Sequence, residues 1–227
     1  MEVPEPGLLD QRQVDMGGSQ PAQIYLPPPS QKSNVLLEEA IAKRRSVRDF
    51  TPESISQSQL SQILWAAQGI SDTRGEYRTV PSAGATYPLE IFVVCGRNGV
   101  EGIDNGVYPY NIDSHSLTLH YEGDVRLELA RAALDQEFIY EAPVDIIICA
   151  VYERTAGVYG GRAERYVHME VGHAGQNIYL QATALGLATV AIGAFYDEQV
   201  REVLRLDEEY KPLYIMPVGR PASIRSR

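Results

Sequence analysis

The sequence predicts an α+β domain in which a mixed, mostly antiparallel sheet is buried between helices. Three observations indicate this class. Hairpin-like strands follow one another in the first half of the chain, Val144–Val151 is a run that is apolar except at Asp145 and is typical of a central strand, and a long helical pattern runs from about Arg162 to Leu185. Strands that alternate irregularly with long helices favour an α+β domain over a parallel βαβ fold.

The first 34 residues differ in composition from the rest of the chain. Residues 1–34 are rich in Pro, Gly, Gln and Ser and end in Leu26-Pro27-Pro28-Pro29-Ser30. This composition cannot form a packed core, so we expect an extended N-terminal arm followed by one globular domain over residues 35–227. The acids and prolines of residues 1–10 do not form a secretory signal.

Helices are predicted from apolar periodicity and capping signals. Val35–Arg45 is predicted to be a helix, and Ser56 and Gln59 form a capping box for a second helix. Asp124–Leu134 and Glu198–Leu204 follow as shorter helices. The residues expected on the apolar face of the first helix are Leu36, Leu37, Ala40 and Ile41.

Strands are predicted from short apolar runs bounded by turn residues. A loop over residues 71–88 separates the second helix from the first predicted strand. The strands are expected at Glu90–Cys95, Gly106–Asn111, Leu117–Tyr121, Val144–Val151, Leu187–Ile192 and Leu213–Val218.

Charge and cysteine content exclude several classes of function. The chain of 227 residues has a formal net charge of −10, so nucleic acid and anionic membranes are not expected partners. Asn177–Tyr196 has no charged residue, but its amides, threonines and Gly186 favour a buried helix end and strand over a membrane span. Cys95 and Cys149 lie in apolar runs, which predicts buried, inert thiols and a cytoplasmic protein.

The densest basic segment is Arg44-Arg45-Ser46-Val47-Arg48, at the end of the first helix. Three guanidiniums and a hydroxyl offer bidentate donors to a phosphate dianion. The alternative is a helix C-terminus at which solvated arginines complement the helix dipole. The segment alone leaves both interpretations open.

Pro81-Ser82-Ala83-Gly84-Ala85 places small residues after a proline, where backbone could approach a flat ligand closely. The alternative is an ordinary turn. Ser82 is not a hydrolase nucleophile, because Val80 occupies the first glycine position of the G-x-S-x-G elbow.

Two further motifs predict no ligand site. The glycines of residues 96–102 are spaced GxxGxxG between two strands, which indicates a hairpin loop and not a dinucleotide site. Glu170 and His173 form an E-x-x-H, but no second copy exists, so no metal site is expected. An interior polar cluster with Asn177 is the expected role of these two residues.

The order of the motifs along the chain resembles the nitroreductase family, and within it the SagB-type dehydrogenase branch. The similarity extends over roughly residues 35–221. It is carried by Arg-Arg-Ser-Val-Arg-Asp-Phe, Pro-Ser-Ala-Gly-Ala-Thr-Tyr-Pro and Gly-Leu-Ala-Thr-Val-Ala-Ile-Gly-Ala-Phe, with further landmarks at residues 106–110, 165–168 and 172–177.

The resemblance implies an intertwined homodimer with two FMN sites built from both chains. By matching family positions, the phosphate and ribityl chain would be held by Arg44, Arg45, Ser46 and Arg48, completed by Arg220 and Arg225. The partner subunit would supply Pro81, Ser82, Ala83 and Gly84 against the isoalloxazine. Gln136 would meet the pyrimidine edge, and Ile192, Gly193 and Ala194 would line the ring, with a backbone N–H near Gly193 donating to flavin N5.

The implied activity is a ping-pong hydride transfer through FMN. Either NAD(P)H reduces the flavin for nitro or quinone acceptors, or an organic substrate is dehydrogenated. The branch's Lys-Tyr proton-transfer pair reads Val158-Tyr159 here, so Tyr159 is the candidate catalytic residue and azoline oxidation is in doubt. The competing hypothesis is a flavin-binding module without turnover, acting as a sensor or as a partner subunit in a peptide-modifying complex.

Overall fold

A computed structural model describes residues 23–72, residue 74 and residues 77–222. Residues 1–22 of the predicted arm and Arg225 lie outside the described residues. The strands are β1 (Gln23–Tyr25), β2 (Leu89–Cys95), β3 (Gly106–Asn111), β4 (Ser116–Thr118), β5 (Tyr121–Glu122), β6 (Val144–Ala150), β7 (Ala188–Thr189) and β8 (Lys211–Gly219). They form one eight-stranded sheet in the order β1-β4-β3-β2-β6-β8-β7, with β5 paired to β3.

The paired strands run antiparallel throughout, and helices cover both faces of the sheet. The helices are α1 (Leu37–Lys43), α2 (Gln57–Gln68), α3 (Arg126–Ala132), α4 (Phe138–Glu141), α5 (Tyr152–Tyr159), α6 (Ala163–Ala184) and α7 (Asp197–Val203). Short 3-10 turns lie at Ala83–Ala85 and Gly160–Arg162.

Strand β6 is the centre of the core, as its apolar sequence predicts. It pairs with β2 on one side and β8 on the other, and all seven of its residues are buried. Ile146 and Ile148 pack into the core cluster that contains α2 and α6, whereas Ile147 and Cys149 pack into the cluster that contains α3 and α7. The predicted sheet between helices is confirmed.

Most predicted elements are present with small shifts of their ends. The capping box of α2 is formed: Gln59 N–H donates to Ser56 Oγ, and Ser56 N–H donates to the Gln59 side chain. The predicted strand Leu117–Tyr121 is in fact two short strands, β4 and β5, which both pair with β3. Of Leu187–Ile192 only β7 is a regular strand, and Ile192 forms a separate bridge with Ile215.

The apolar face predicted for the first helix is largely exposed among the described residues. Ala40 is buried, but Leu36, Leu37 and Ile41 are 64%, 62% and 55% exposed. Apolar periodicity identifies the face of a helix that avoids water, and it does not say what covers that face. Helices α4 and α5 were not predicted, because they are short and each buries only one side chain.

The segment after β1, which contains Pro27 and Ser30, is hydrogen-bonded to polar side chains of α2. Gln62 of α2 binds the backbone of Ser30 twice, accepting from its N–H at 2.8 Å and donating to its carbonyl at 3.0 Å. The Ser61 hydroxyl donates to the carbonyl of Pro27, and the His115 ring lies 2.7 Å from the same hydroxyl. This part of the predicted arm therefore lies on the domain.

Both cysteines are buried free thiols, as predicted. Burial raises the pKa of Cys95 to about 12 and raises that of Cys149 further. Within the described residues, no helix has the length and apolarity that a membrane span requires.

Candidate functional site

The arginine-rich loop after α1 lies along strand β7. Val47 N–H donates to the carbonyl of Thr189 at 3.1 Å, and Ser46 forms a parallel bridge with Thr189. This pairing places residues 44–48 beside the segment that leads from β7 to Ile192, Gly193 and Ala194. Two of the predicted groups of site residues are therefore neighbours in one chain.

Tyr179 of α6 joins these two segments. Its hydroxyl lies 2.9 Å from Ser46 Oγ and accepts the N–H of Ala191 at 2.8 Å. The guanidinium of Arg44 lies over its ring, 5.1 Å from the centroid, within the range of a cation–π contact. Tyr179 was not among the predicted site residues. The sequence offered one signal for its role, a tyrosine in an uncharged segment of the long helix. Such a phenol is half-buried, and it therefore needs a hydrogen-bond partner.

The other predicted phosphate ligands have different surroundings. Arg45 donates to the carbonyls of Ala42 and Arg44 at the end of α1, which is the helix-capping role that the sequence left open. Arg48 lies 5.8 Å from the ring centroid of Phe138. The exposed side chain of Arg220 pairs with Glu53 at 3.2 Å. The structure therefore brings Arg44 and Ser46 together most directly.

Gln136 meets the segment at Ala194. Its side-chain amide donates to the carbonyls of Ala133 at 2.7 Å and Ala194 at 3.0 Å. Ile192 exchanges two backbone hydrogen bonds with Ile215, which fixes the backbone just before Gly193. A Cβ at Gly193 would only just reach the ring of Tyr214, at 3.8 Å, so a ligand could lie close to this backbone. Gln136 and the segment Ile192–Ala194 form one cluster with the loop that carries Arg44, Ser46 and Arg48. We call this cluster the arginine half-site.

The Pro81–Gly84 turn belongs to a second cluster, held by a buried carboxyl group. Ser82 Oγ donates to Glu170 of α6 at 2.6 Å and accepts the N–H of Tyr87 at 2.9 Å. Glu170 is 3% exposed, and burial raises its pKa, while the hydrogen bond from Ser82 and the charge of Arg78 act in the opposite direction. The side chain of Ser82 therefore shapes the turn.

Arg78 supports the same turn. Its guanidinium donates to Gln68 at 3.2 Å and lies 4.3 Å from the ring centroid of Tyr87. Burial lowers the pKa of Arg78, although Glu90 opposes this effect. Arg154 also holds Tyr87 in place. The Arg154 guanidinium donates to the Tyr87 carbonyl and pairs with Glu90.

The expected interior cluster of Glu170, His173 and Asn177 is not formed, because Glu170 and Asn177 have different hydrogen-bond partners. His173 is exposed, while Asn177 donates to the carbonyls of Ala66 and Thr79. Among the described residues no group of His, Cys, Asp and Glu side chains could hold a metal ion.

Tyr159 lies against the Pro81–Gly84 turn. A Cβ at Gly84 would lie 2.8 Å from the Tyr159 hydroxyl oxygen, so the phenol is in close contact with this glycine. The ring of Tyr159 packs edge-to-face on Tyr166, with 5.0 Å between centroids. Val158, at the position of the branch's lysine, is 63% exposed. We call Pro81–Gly84, Tyr159 and Glu170 the turn half-site.

The two half-sites lie on different sides of α6. Tyr179 holds the arginine half-site and Glu170 holds the turn half-site, and these residues are nine positions apart on one continuous helix. Nine residues correspond to about two and a half turns and roughly 13 Å along the axis, so the two side chains leave the helix in opposite directions. Within one chain, these contacts therefore do not place the two half-sites on either side of the same ligand.

Comparison with known proteins gives consistent matches over most of the chain. A protein of Methanocaldococcus jannaschii, provisionally named a nitroreductase, is 54% identical over 186 residues, which are 82% of this chain and 91% of that protein. The microcin B17-processing protein McbC of Escherichia coli is 25% identical over 164 residues, 70% of this chain and 60% of McbC. A Ralstonia eutropha crystal structure, also provisionally titled a nitroreductase, superposes with a TM-score of 0.76 at 27% identity, covering 97% of this chain and 98% of that one.

The pattern of the nitroreductase family matches residues 41–220, which include every described residue of both half-sites. The match therefore covers more than half of the 227 residues. The chain belongs to the nitroreductase family.

Proposed function

We propose that this protein is a cytoplasmic FMN-dependent oxidoreductase that works as a homodimer, with each flavin between the arginine half-site of one chain and the turn half-site of its partner. The observation that carries this proposal is the placement of the two half-sites on opposite sides of α6. A ligand that needs both sets of residues must lie between two chains. Family membership supports the oxidoreductase activity.

The arginine half-site fits a phosphate and ribityl chain. Arg44 and Arg48 each lie over an aromatic ring, and Ser46 adds a hydroxyl at a sequence position between the two arginines. Guanidiniums and hydroxyls are the donors that recognise phosphate, and their concentration here is unexpected on a chain of net charge −10. Arg45 and Arg220 are exposed, so each could turn toward an anion at the cost of its present contacts.

The segment Ile192–Ala194 fits a planar ring. Gly193 offers backbone without a side chain, and Gln136 presents an amide at the edge of this segment. A backbone N–H near Gly193 would donate to flavin N5. FMN, when bound, would supply hydride acceptance and donation, which no side chain in either half-site can perform.

The turn half-site would close the opposite face of the ring and handle the proton. Pro81 and Ala83 have compact side chains and Gly84 has none, which allows close approach. Tyr159 Oη lies against Gly84, where it could hold or transfer a proton for a bound substrate. Tyr159 is therefore the proposed catalytic residue.

The reaction that these residues support best is a ping-pong cycle in which NAD(P)H donates hydride and a nitro or quinone compound accepts it. This cycle does not require the lysine that is Val158 here. Dehydrogenation of an organic substrate, such as a modified peptide, is the second candidate. Retention of Tyr159 and the similarity to the microcin-processing protein McbC favour it.

Anaerobic stopped-flow absorbance of the flavin-loaded protein tests the proposal. We expect NADH or NADPH to bleach the flavin band, and a quinone or nitroaromatic compound to restore it. Reduction by dithionite but by neither nicotinamide would favour the organic-substrate dehydrogenase or a flavin module without turnover. A purified protein that takes up no FMN would refute the proposal.

A further inference from the structure

The hydroxyl of Tyr179 is the single point at which the arginine-rich loop, helix α6 and the segment before Gly193 are joined by side-chain hydrogen bonds among the described residues. It lies 2.9 Å from Ser46 Oγ and 2.8 Å from the backbone nitrogen of Ala191. Ser46 and Tyr179 are 133 positions apart in sequence, so this contact depends on the fold and not on local structure.

The direction of these hydrogen bonds follows from the groups involved. Ala191 N–H can only donate, so the Tyr179 oxygen accepts from it. The Tyr179 O–H is then free to donate to Ser46 Oγ. In that arrangement Ser46 has accepted a hydrogen bond and its own O–H is free to donate to a third group. Hydrogen bonds in such a chain polarise one another, which makes the last donor stronger.

The third group would be an anion, because Ser46 is exposed and three arginines, Arg44, Arg45 and Arg48, lie within two positions of it. Arg44 lies over the face of the same tyrosine ring, so Tyr179 holds the guanidinium and the hydroxyl of neighbouring residues at once. Arg45, in contrast, caps the end of α1 with its own carbonyl contacts.

We propose that Tyr179 is a positioning residue that presents Ser46 O–H and Arg44 to the phosphate of the bound flavin and ties this phosphate subsite to the ring subsite at Ile192–Ala194. The inference rests on the proposed function, since it assumes that the anion is the phosphate of FMN. Tyr179 itself does not touch the ligand.

The test compares FMN with riboflavin, which has the same ring and no phosphate. Tyr179→Phe keeps the ring under Arg44 but removes both hydrogen bonds of the hydroxyl. We expect the Kd for FMN to rise about tenfold, the size expected when a hydrogen bond to a charged group is lost. The Kd for riboflavin should change less than about twofold, because Ile192 remains paired with Ile215. Quenching of flavin fluorescence measures both constants.

Ser46→Ala gives a second test at an exposed position that leaves α6 intact. If Tyr179 acts through Ser46, the double variant should bind FMN little worse than either single variant, because the two substitutions remove one unit. Tyr25→Phe, at a 68% exposed tyrosine on β1, is the matched control and should leave both constants unchanged.

Each result has a distinct meaning. Equal FMN affinity in wild type and Tyr179→Phe would overturn the inference alone. Equal losses for FMN and riboflavin would also overturn it, because Tyr179 would then support only the ring subsite. A wild-type protein that binds neither flavin would overturn the proposed function and this inference with it.

Discussion

Asp145 is an acidic residue near the start of the central strand β6. It is fully buried in β6, and neither carboxylate oxygen has a hydrogen-bond partner among the described residues. Burial raises its pKa well above the ordinary value, a tendency that nearby Asp124 reinforces and Arg126 opposes. Arg126 is committed elsewhere, because it pairs with Asp124 and donates to the carbonyl of Ala142. Asp145 is therefore a candidate source of pH-dependent stability.

The raised pKa of Asp145 gives a definite sign to this dependence. Between the ordinary carboxyl pKa and the raised one, the folded protein holds a proton that the unfolded chain has lost, so stability falls as pH rises through this window. We expect Asp145→Asn to raise the free energy of unfolding at pH 7 by on the order of 1–3 kcal/mol. The gain should shrink as pH falls toward the ordinary pKa of an aspartate.

Urea unfolding across this pH range measures the effect of Asp145→Asn. Asp113→Asn, at a surface position, serves as the control and should follow the wild-type curve. A pH-independent difference between Asp145→Asn and wild type would contradict the explanation, because it would show that packing, and not ionisation, is responsible.

At the scale of elements, the Pro81–Ala85 turn depends on a glycine in the left-handed region. Gly84 has φ of 59°, and a Cβ there would lie 2.8 Å from the Tyr159 hydroxyl. Gly186, between α6 and β7, also has a positive φ, of 70°, but a Cβ at that position would have no neighbouring atom within 4 Å. Substitution of each glycine by alanine therefore distinguishes the effect of backbone strain from the effect of a clash with Tyr159.

Gly84→Ala and Gly186→Ala should both lose about 1–2 kcal/mol of stability, because an alanine is strained at positive φ. Only Gly84→Ala should also displace Tyr159 and reduce turnover with a quinone acceptor, since the phenol would have to move away from the turn. Thermal unfolding and steady-state kinetics measure the two effects. Equal loss of turnover in both variants would argue against a catalytic position for Tyr159.

The elements also show which features a sequence can predict. The capping box of α2 was predictable because Ser56 and Gln59 lie within one turn, and β6 was predictable because all of its residues are buried. The role of Tyr179 was not, because Ser46 is its partner across 133 positions. The order of the motifs identified the family, while the individual contacts of Arg45, Ser82 and Arg220 required the fold.

At the scale of the whole molecule, the described part of one chain leaves an apolar surface uncovered. Leu36, Leu37 and Ile41 are more than half exposed around α1. A groove of about 610 Å³ between α1, α2 and α6 adjoins this surface, and its lining includes Leu37, Ala40, Trp65, Ala66, Leu180 and Ala184. Contiguous apolar surface of this kind marks protein interfaces. Its position beside the arginine half-site agrees with the proposed dimer, in which both chains build each flavin site.

The dimer proposal predicts that a substitution that disrupts the apolar surface also weakens flavin binding. Wild-type protein should sediment at about 50 kDa, twice the 25.2 kDa chain. Ile41→Glu places a charge in the proposed interface, so we expect it to shift the protein toward monomer and to lower FMN occupancy, because each chain carries only half of each site. Leu127→Glu, at a 41% exposed leucine on α3, is the control and should remain dimeric. A monomeric Ile41→Glu protein that still binds FMN tightly would show that one chain suffices, and the placement of the half-sites on opposite sides of α6 would then need another explanation.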